Sequence, residues 1–136
     1  MPALPRDASA EIAPLLEAWF PAVGRRDRAW FEAVFAPDLQ VRNVPLAQQR
    51  GREAMIDLEL SVPPLGFTTL GITATAYDDP TGSTPSIALS TWSVLVWRLD
   101  DRAGTEHHGL FTASWRRTAT GQWQVFDLVR AGNLPA

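Results

Sequence analysis

The hydrophobic pattern of this chain changes period halfway along, and that change constrains the fold more than any other feature. In the first half, apolar residues recur at the spacing of one helix face, as in Ile12, Leu16, Trp19 and Val23. From residue 69 onward, apolar and polar residues alternate, which is typical of strands. Short stretches rich in Pro, Gly, Asp and Thr separate these strands, so antiparallel hairpins are predicted. Helices followed by a meander of strands indicate an α+β fold.

Three helices are predicted in the first half. The first has Ser9 as its N-cap and Gly24 as its C-cap. Pro21 has no N–H to donate to the carbonyl of Glu17, so this helix is expected to kink or to end early. The other predicted elements are a helix from Asp27 to Ala36, a strand over 39–43, a helix from Gly51 to just before Pro63, and strands over 69–76, 87–98, 106–117 and 123–130.

Neither a linker, nor a repeat, nor a low-complexity tract interrupts this order of elements. We therefore expect one domain over residues 1–136. Residues 1–8 carry two prolines and no periodicity, so they are predicted to form a loose N-terminal arm.

Composition excludes several classes of function. Of 136 residues, 46% are hydrophobic and 20% are charged, which excludes a disordered chain, and no apolar run reaches the ~18 residues of a membrane span. Without Cys there are no disulfides or thiolate ligands, and without Lys there is no Schiff-base chemistry. A net charge of -3 argues against nucleic-acid binding. The N-terminus lacks a signal-peptide pattern. The absence of Lys and Cys favours a bacterial, cytoplasmic protein.

The sequence contains no recognisable motif for a cofactor or a metal ion. A phosphate loop and a dinucleotide fingerprint are both absent. His107 and His108 are adjacent on a predicted strand and therefore point to opposite faces, so the two cannot bind one metal together. We expect neither a cofactor nor a metal site.

Three segments of the chain resemble one known group of proteins. They are LLEAWFPAVGRRDRAWFEAVFAPDLQVRN, GREAM and SWRRTATGQWQVF. Over about residues 10–130, the chain resembles the nuclear transport factor 2-like superfamily, which includes the polyketide cyclase SnoaL-like and ketosteroid isomerase-like proteins. The resemblance implies a cone-shaped roll, with three N-terminal helices packed in the concavity of a strongly curved, mixed and mainly antiparallel sheet, and a pocket at its open end. Members are often homodimers with unrelated activities, so this fold does not specify a function.

The resemblance also implies where a ketosteroid isomerase-like protein carries its catalytic groups, and this chain departs from the pattern there. Asn43 stands at the position of the catalytic base, which is an Asp in those proteins. Trp19 and, approximately, Ala113 stand at the positions of the two oxyanion donors. An amide is not a base and Ala has no donor, although Trp keeps one N–H. Steroid-type isomerisation is therefore not expected.

The alternation along the strands, together with the resemblance, supplies the other site candidates. His107 is a candidate proton carrier because His titrates near neutrality; alternatively, it is a histidine at the rim. Arg130 is a candidate anchor for an acidic or carbonyl group, or the partner in a salt bridge. A β-bulge would reverse any of these faces locally. The sets predicted to face inward are His107, Gly109, Phe111, Ala113 and Trp115; then Gln124, Phe126, Leu128 and Arg130; and then Thr91, Ser93, Leu95 and Trp97.

The opposite faces of these strands are also largely apolar. A second apolar face needs cover, so a homodimer through the outer sheet face is expected. The alternative is that this set forms the core instead. Its members are Trp92, Val94, Val96, Leu110, Val125 and Val129.

The resulting expectation is a cone that binds a small apolar molecule in an aromatic-lined pocket. Two alternatives stay open. One is an acid/base lyase, isomerase or hydrolase acting on a small apolar carbonyl compound, with His107 as proton carrier and Asn43 or Trp19 as oxygen-holding donor. The other is a non-catalytic dimerisation module. Neither nucleic acid nor a membrane is expected as a partner. The predicted lining residues are Trp19, Phe35, Met55, Phe111, Trp115, Phe126 and Arg130.

Overall fold

The computed structural model describes residues 4–42 and 51–132, and these build one six-stranded mixed sheet that does not close. The strand order is β1-β3-β4-β5-β6-β2. All neighbours are antiparallel except β2 and β6, which are parallel. This arrangement confirms the predicted α+β fold. The strands are β1 Pro5–Asp7, β2 Phe35–Arg42, β3 Leu65–Tyr77, β4 Ile87–Arg98, β5 His107–Arg117 and β6 Trp123–Gly132.

The helices pack against the inner face of the sheet and share its core. They are α1 Ser9–Glu17, α2 Trp19–Arg25, α3 Arg28–Val34 and α4 Arg52–Ser61. The predicted first helix is divided into α1 and α2 at Ala18, because Pro21 has no N–H for the carbonyl of Glu17. The C-cap of α2 is Arg26, in the left-handed region at φ 55°, and not Gly24. None of the described helices is long and apolar enough to cross a membrane.

Two predicted helix caps have different outcomes. Asp27 caps α3, since its Oδ1 accepts a hydrogen bond of 3.1 Å from the backbone N–H of Trp30. Ser9 does not cap α1, whose N-cap residue is Ala8. The Ser9 hydroxyl instead accepts a hydrogen bond of 3.1 Å from the backbone N–H of Ala74 and so ties α1 to β3.

The N-terminal segment, expected to be a loose arm, contributes β1 to the edge of the sheet beside β3. Arg6 of β1 pairs with both Asp78 and Glu11. Glu11 in turn accepts hydrogen bonds from Arg117, at 3.1 Å, and from Trp123, at 3.3 Å. Backbone pairing and a shared charge network therefore hold this segment in place.

The face that β4 turns inward is opposite to the predicted one. Trp92, Val94 and Val96 are fully buried, so the β4 members of the apolar set expected on the outer face lie in the core. Both faces of β4 contain apolar residues, and the helices packed on one side decide between them. On β5 the prediction agrees with the structure, because Phe111 and Trp115 lie in the core.

A register shift on β6 changes which residues face inward. Ser114 pairs with Asp127 whereas Trp115 pairs with Val125, so Phe126 is an extra residue in the strand. The predicted inward set is therefore right at its last two members and wrong at Phe126. Gln124 donates from Nε2 to the backbone carbonyl of Ala33 in α3 over 3.1 Å. The β6 residues in the core are Trp123, Val125 and Leu128.

Candidate functional site

α4 carries one carboxylate into the core of the protein. Residues three and four apart share a helix face, and the buried face of α4 consists of Met55, Ile56 and Glu59. Glu59 is only 4% exposed. Glu53 and Asp57, on the opposite face, are exposed. Glu59 is therefore the acidic residue that α4 directs toward the sheet.

Two side chains from other elements reach the Glu59 carboxylate. Trp19, at the start of α2, donates from Nε1 to Oε2 over 3.1 Å. Arg130, near the end of β6, places Nη1 3.5 Å from Oε1. The Arg130 side chain is 18% exposed and the Glu59 side chain 5%. The site is thus a largely buried ion pair in which the arginine is the more exposed partner.

Burial changes the acidity of Glu59. Removal from water raises the pKa of the Glu59 carboxyl above its ordinary value of 4.5, because the ionised form loses its hydration. The positive charge of Arg130 and the hydrogen bond from Trp19 lower the pKa and offset only part of this effect. Glu59 is consequently closer to exchanging a proton at neutral pH than an exposed glutamate.

Aromatic rings surround the ion pair. The Trp19 ring lies 5.2 Å from Phe35 and 6.0 Å from Phe111, measured between ring centroids. The Arg130 Cζ lies 5.7 Å from the centroid of Phe111, within the range of a cation–π contact. Apolar surroundings strengthen the interaction of the two charges. The aromatic cluster continues with Phe20, Trp30, Phe31, Phe67 and Trp92.

Four of the residues predicted from the sequence come together at Glu59. Trp19, Phe35, Phe111 and Arg130 come from α2, β2, β5 and β6, and their contacts connect them around the carboxylate. Met55 is buried one turn before Glu59 on α4. Residues far apart in the chain thus form one cluster.

Three other predicted residues lie elsewhere. His107 is half-buried and stands four residues along β5 from Phe111, about 13 Å away at the rise of a strand. Trp115 stands four residues from Phe111 in the other direction and donates to Ser90 Oγ over 2.8 Å. Phe126, at the bulge, carries the Arg116 guanidinium over its ring. These residues are not contacts of the Glu59–Arg130 pair.

Of the other polar side chains, His108 and Asp127 are separated from the pair as well. Asn43 lies outside the described residues. His108 faces away from the core and hydrogen-bonds Ser93 Oγ at 2.8 Å, so the two histidines do point to opposite faces. Asp127 pairs with Arg42 across β2 and β6, the nearest contact being 2.9 Å.

Glu59 itself is absent from the residues predicted from the sequence. Helical spacing in the sequence predicts Ala54, Met55 and Leu58 as the apolar stripe of α4, whereas the helix buries Met55, Ile56 and Glu59. A glutamate among apolar residues reads as a solvent-exposed position. The available signal was its spacing of four residues from Met55, which places both on one face.

The chemistry available at this site is that of a guanidinium, a carboxyl group and an indole N–H enclosed by aromatic rings. A guanidinium binds carboxylate or carbonyl oxygens, and a carboxyl with a raised pKa can donate or accept a proton. Within residues 4–42 and 51–132, no group of three or more His, Asp or Glu side chains could hold a metal ion.

Comparison with known families identifies the fold. The sequence profile of the SnoaL-like domain matches residues 6–129. No protein of curated function matches the chain significantly. Among solved structures, an NTF2-like protein of unknown function from Pseudomonas putida is 26% identical and superimposes with a TM-score of 0.70, covering 94% of this chain and 88% of that one.

Two more distant structures share the architecture. A candidate ketosteroid isomerase from Shewanella frigidimarina is 14% identical, with a TM-score of 0.65 and coverage of 87% of this chain and 92% of that one. The association domain of CaMKII from C. elegans is 15% identical, also with a TM-score of 0.65, and covers 90% and 93%. At these identities the similarity shows the fold alone. The resemblance to the nuclear transport factor 2-like superfamily is confirmed.

Proposed function

The chain belongs to the SnoaL-like domain family, and we propose that it binds a small, mainly apolar molecule carrying one carboxylate or carbonyl group. In this proposal the apolar part lies in a pocket against Trp19, Phe35 and Phe111, and Arg130 holds the polar group. The observation that carries the proposal is the Arg130 guanidinium beside Glu59 among aromatic rings. Mostly apolar walls with a few convergent polar groups are the usual anatomy of a ligand site.

The accessibility of Arg130 supports this role. Its side chain is more exposed than that of Glu59, 18% against 5%, so a molecule arriving from solvent meets the guanidinium first. A guanidinium has five N–H donors. The ion pair with Glu59 joins one nitrogen to one oxygen at 3.5 Å, longer than the roughly 2.9 Å of a good charge-assisted hydrogen bond. Arg130 therefore keeps donor capacity for a ligand.

A purely structural role explains the pair less well. Replacing a buried ion pair with apolar side chains of similar volume is often neutral or stabilising. Glu59 and Arg130 are joined by one long contact, and the loss of hydration outweighs the attraction of Arg130 in setting the pKa of the Glu59 carboxyl. A site that holds polar ligand groups gives a positive reason for two charges at this position.

Binding can be tested with tryptophan fluorescence, because Trp19 lies in the site. We expect saturable quenching or enhancement by at least one of benzoate, phenylacetate and cyclohexanecarboxylate. Arg130→Met should weaken binding about tenfold or more, since it removes a hydrogen bond to a charged group. Arg42→Met is the matched control, because Arg42 is 61% exposed and pairs with Asp127 on the neighbouring strand. No saturable change with any of the three acids or their amides, or equal losses in both variants, would contradict the proposal.

Acid/base catalysis is the second candidate, and the structure favours Glu59 over His107 as the proton carrier. Glu59 is buried beside Arg130 and Trp19, whereas His107 stands about 13 Å along β5 from Phe111. A carboxyl with a raised pKa beside two hydrogen-bond donors suits proton transfer at a carbon next to a carbonyl group.

This candidate is tested by following deuterium exchange at the α-carbons of cyclohexanone in heavy water by NMR. An enzyme of this kind should accelerate exchange, and Glu59→Gln should lower the rate roughly a hundredfold or more. His107→Ala should leave the rate within about twofold. If the wild-type protein does not accelerate exchange, catalysis by this route fails while the binding proposal stands.

The chain is also proposed to self-associate through the outer face of its sheet. Of the residues predicted to face outward, Leu110 and Val129 lie on this face, whereas the other four lie in the core. A row of uncharged residues crosses its middle, with the exposed Leu89 and Leu110 on either side. Charged residues are typically depleted from the centre of an interface. The row consists of Thr73, Thr91, Thr112 and Val129.

A further inference from the structure

We infer that binding of a carboxylate ligand at this site is coupled to the uptake of one proton. The ligand carboxylate replaces Glu59 as the ion-pair partner of Arg130, and Glu59 is protonated in the complex. The inference rests on the proposed function and deepens it. It narrows the ligand class to monoanionic carboxylates with an apolar body, and it makes their affinity dependent on pH.

The geometry of the ion pair makes Glu59 replaceable. Its contact with Arg130 is a single pair of atoms 3.5 Å apart, whereas a ligand carboxylate facing the guanidinium could form two parallel hydrogen bonds. Glu59 would keep its hydrogen bond from Trp19 Nε1. A protonated carboxyl has one oxygen left to accept that bond and one O–H to donate. The free O–H of Glu59 could then donate to the bound carboxylate.

The charge balance requires the proton. Without ligand, the charges of the ionised Glu59 and Arg130 side chains sum to zero. An ionised ligand beside an ionised Glu59 would leave a net charge of about -1 among aromatic rings, where an unpaired charge is costly. Two carboxylates that share one buried site do not both stay ionised. One proton from solvent restores neutrality without making or breaking a covalent bond.

Other charged groups near α4 do not supply the missing positive charge. Within the described ranges, those on elements packed against α4 are engaged with other partners or exposed. Arg26 donates to the backbone carbonyls of Val23 and Val62. Glu32 is exposed. The remaining charged residues form ion pairs with one another: Arg25 with Asp27, Arg28 with Glu53 and Asp57, Asp38 with Arg116, and Arg42 with Asp127.

The proton is counted directly by calorimetry. Benzoate, phenylacetate and cyclohexanecarboxylate are titrated into the intact wild-type chain at pH 7, in phosphate and in Tris, whose ionisation enthalpies differ. For the acid that binds, we expect uptake of about one proton and an affinity that falls about tenfold per pH unit above pH 7. Uptake below about half a proton per ligand overturns the inference.

Variants assign the proton to Glu59. Glu59→Gln should bind the same acid with no proton uptake and with an affinity that is flat over this pH range, because glutamine is already neutral. Glu53→Gln, on the exposed face of α4, should behave like the wild type. Uptake that persists in Glu59→Gln would place the proton elsewhere and overturn the assignment. If Glu59→Gln does not fold, the wild-type uptake and its pH dependence still decide the inference.

The two proposals fail in different ways. If neither the acids nor their amides bind, the proposed function fails. If an acid binds without taking up a proton, or if the matching amide (phenylacetamide for phenylacetate) binds as tightly as the acid, the proposed function stands and this inference fails.

Discussion

Glu59 links the stability of the fold to pH. Its burial raises the pKa of the carboxyl above 4.5, so between pH 4.5 and the folded-state pKa the native chain holds a proton that the unfolded chain has lost. Stability from this residue is therefore fully present below pH 4.5 and is lost as the pH rises through the folded-state pKa.

Glu59→Gln should remove this pH dependence. From pH 4.5 upward, the free energy of unfolding of the wild type should fall relative to that of the variant, by at most about 1.4 kcal/mol per pH unit. Urea denaturation of both proteins at a series of pH values measures the difference. For Glu53→Gln, the difference in free energy of unfolding from the wild type should not change with pH, since this substitution leaves the buried pair intact. If the free energy of unfolding of the wild type stays constant or rises with pH relative to that of Glu59→Gln, Glu59 is not held in the way described.

At the scale of elements, single residues set the boundaries of the helices. Pro21 divides the first apolar stripe into α1 and α2, and Asp27 begins α3 directly after the left-handed Arg26. α3 ends at Val34, where Phe35 is already extended and starts β2. Because Trp19 opens α2 and Phe35 opens β2, these boundaries position two walls of the candidate site.

Asp27→Ala should destabilise the protein by about 1 kcal/mol, because the backbone N–H of Trp30 loses its acceptor. The midpoint of urea denaturation measures the loss. Asp27→Asn is the matched variant: it removes the charge facing Arg25 but keeps an oxygen that can cap the helix, so it should lose less than half as much. Equal losses in the two variants would show that the charge, not the cap, stabilises α3.

At the scale of the molecule, the helices cover one face of the sheet, and none of the described elements covers the other. Leu89 is 48% exposed and Leu110 is 37% exposed on that open face. The ion pairs Arg42–Asp127 and Arg116–Asp38 lie toward its β2 side. An uncharged centre with charged residues at its margin is the composition expected of a contact between copies.

Leu110→Asp should weaken self-association roughly tenfold or more, because it places a charge at the centre of the proposed interface. Sedimentation equilibrium over a range of concentrations measures the change. Leu99→Asp is the control, since Leu99 is 63% exposed but lies in the β4–β5 connection. A wild-type protein that stays monomeric at tens of micromolar, or equal effects of both substitutions, would contradict the interface.

Local features of the chain were sufficient to predict most of its elements, although not β1. The α+β order, the Asp27 cap, the end of α4 before Pro63 and the long strands β4 and β5 all depend on contacts within a few residues. Four members of the Glu59 cluster could also be predicted, because aromatic side chains and an arginine stand at regular spacing on helix and strand faces in the sequence.

The facing of the strands and the burial of Glu59 depend on residues far apart in the chain. The bulge at Phe126 arises from pairing with β5 and brings Arg130 to the inner face, and the packing of the helices selects Trp92 and Val94 for the core. A charged carboxylate is rarely buried without a partner, and the partner of Glu59 is Arg130, which stands 71 positions later in the chain. Alternation and periodicity are local properties, whereas the pairing of two buried charges exists only after the helices close onto the sheet.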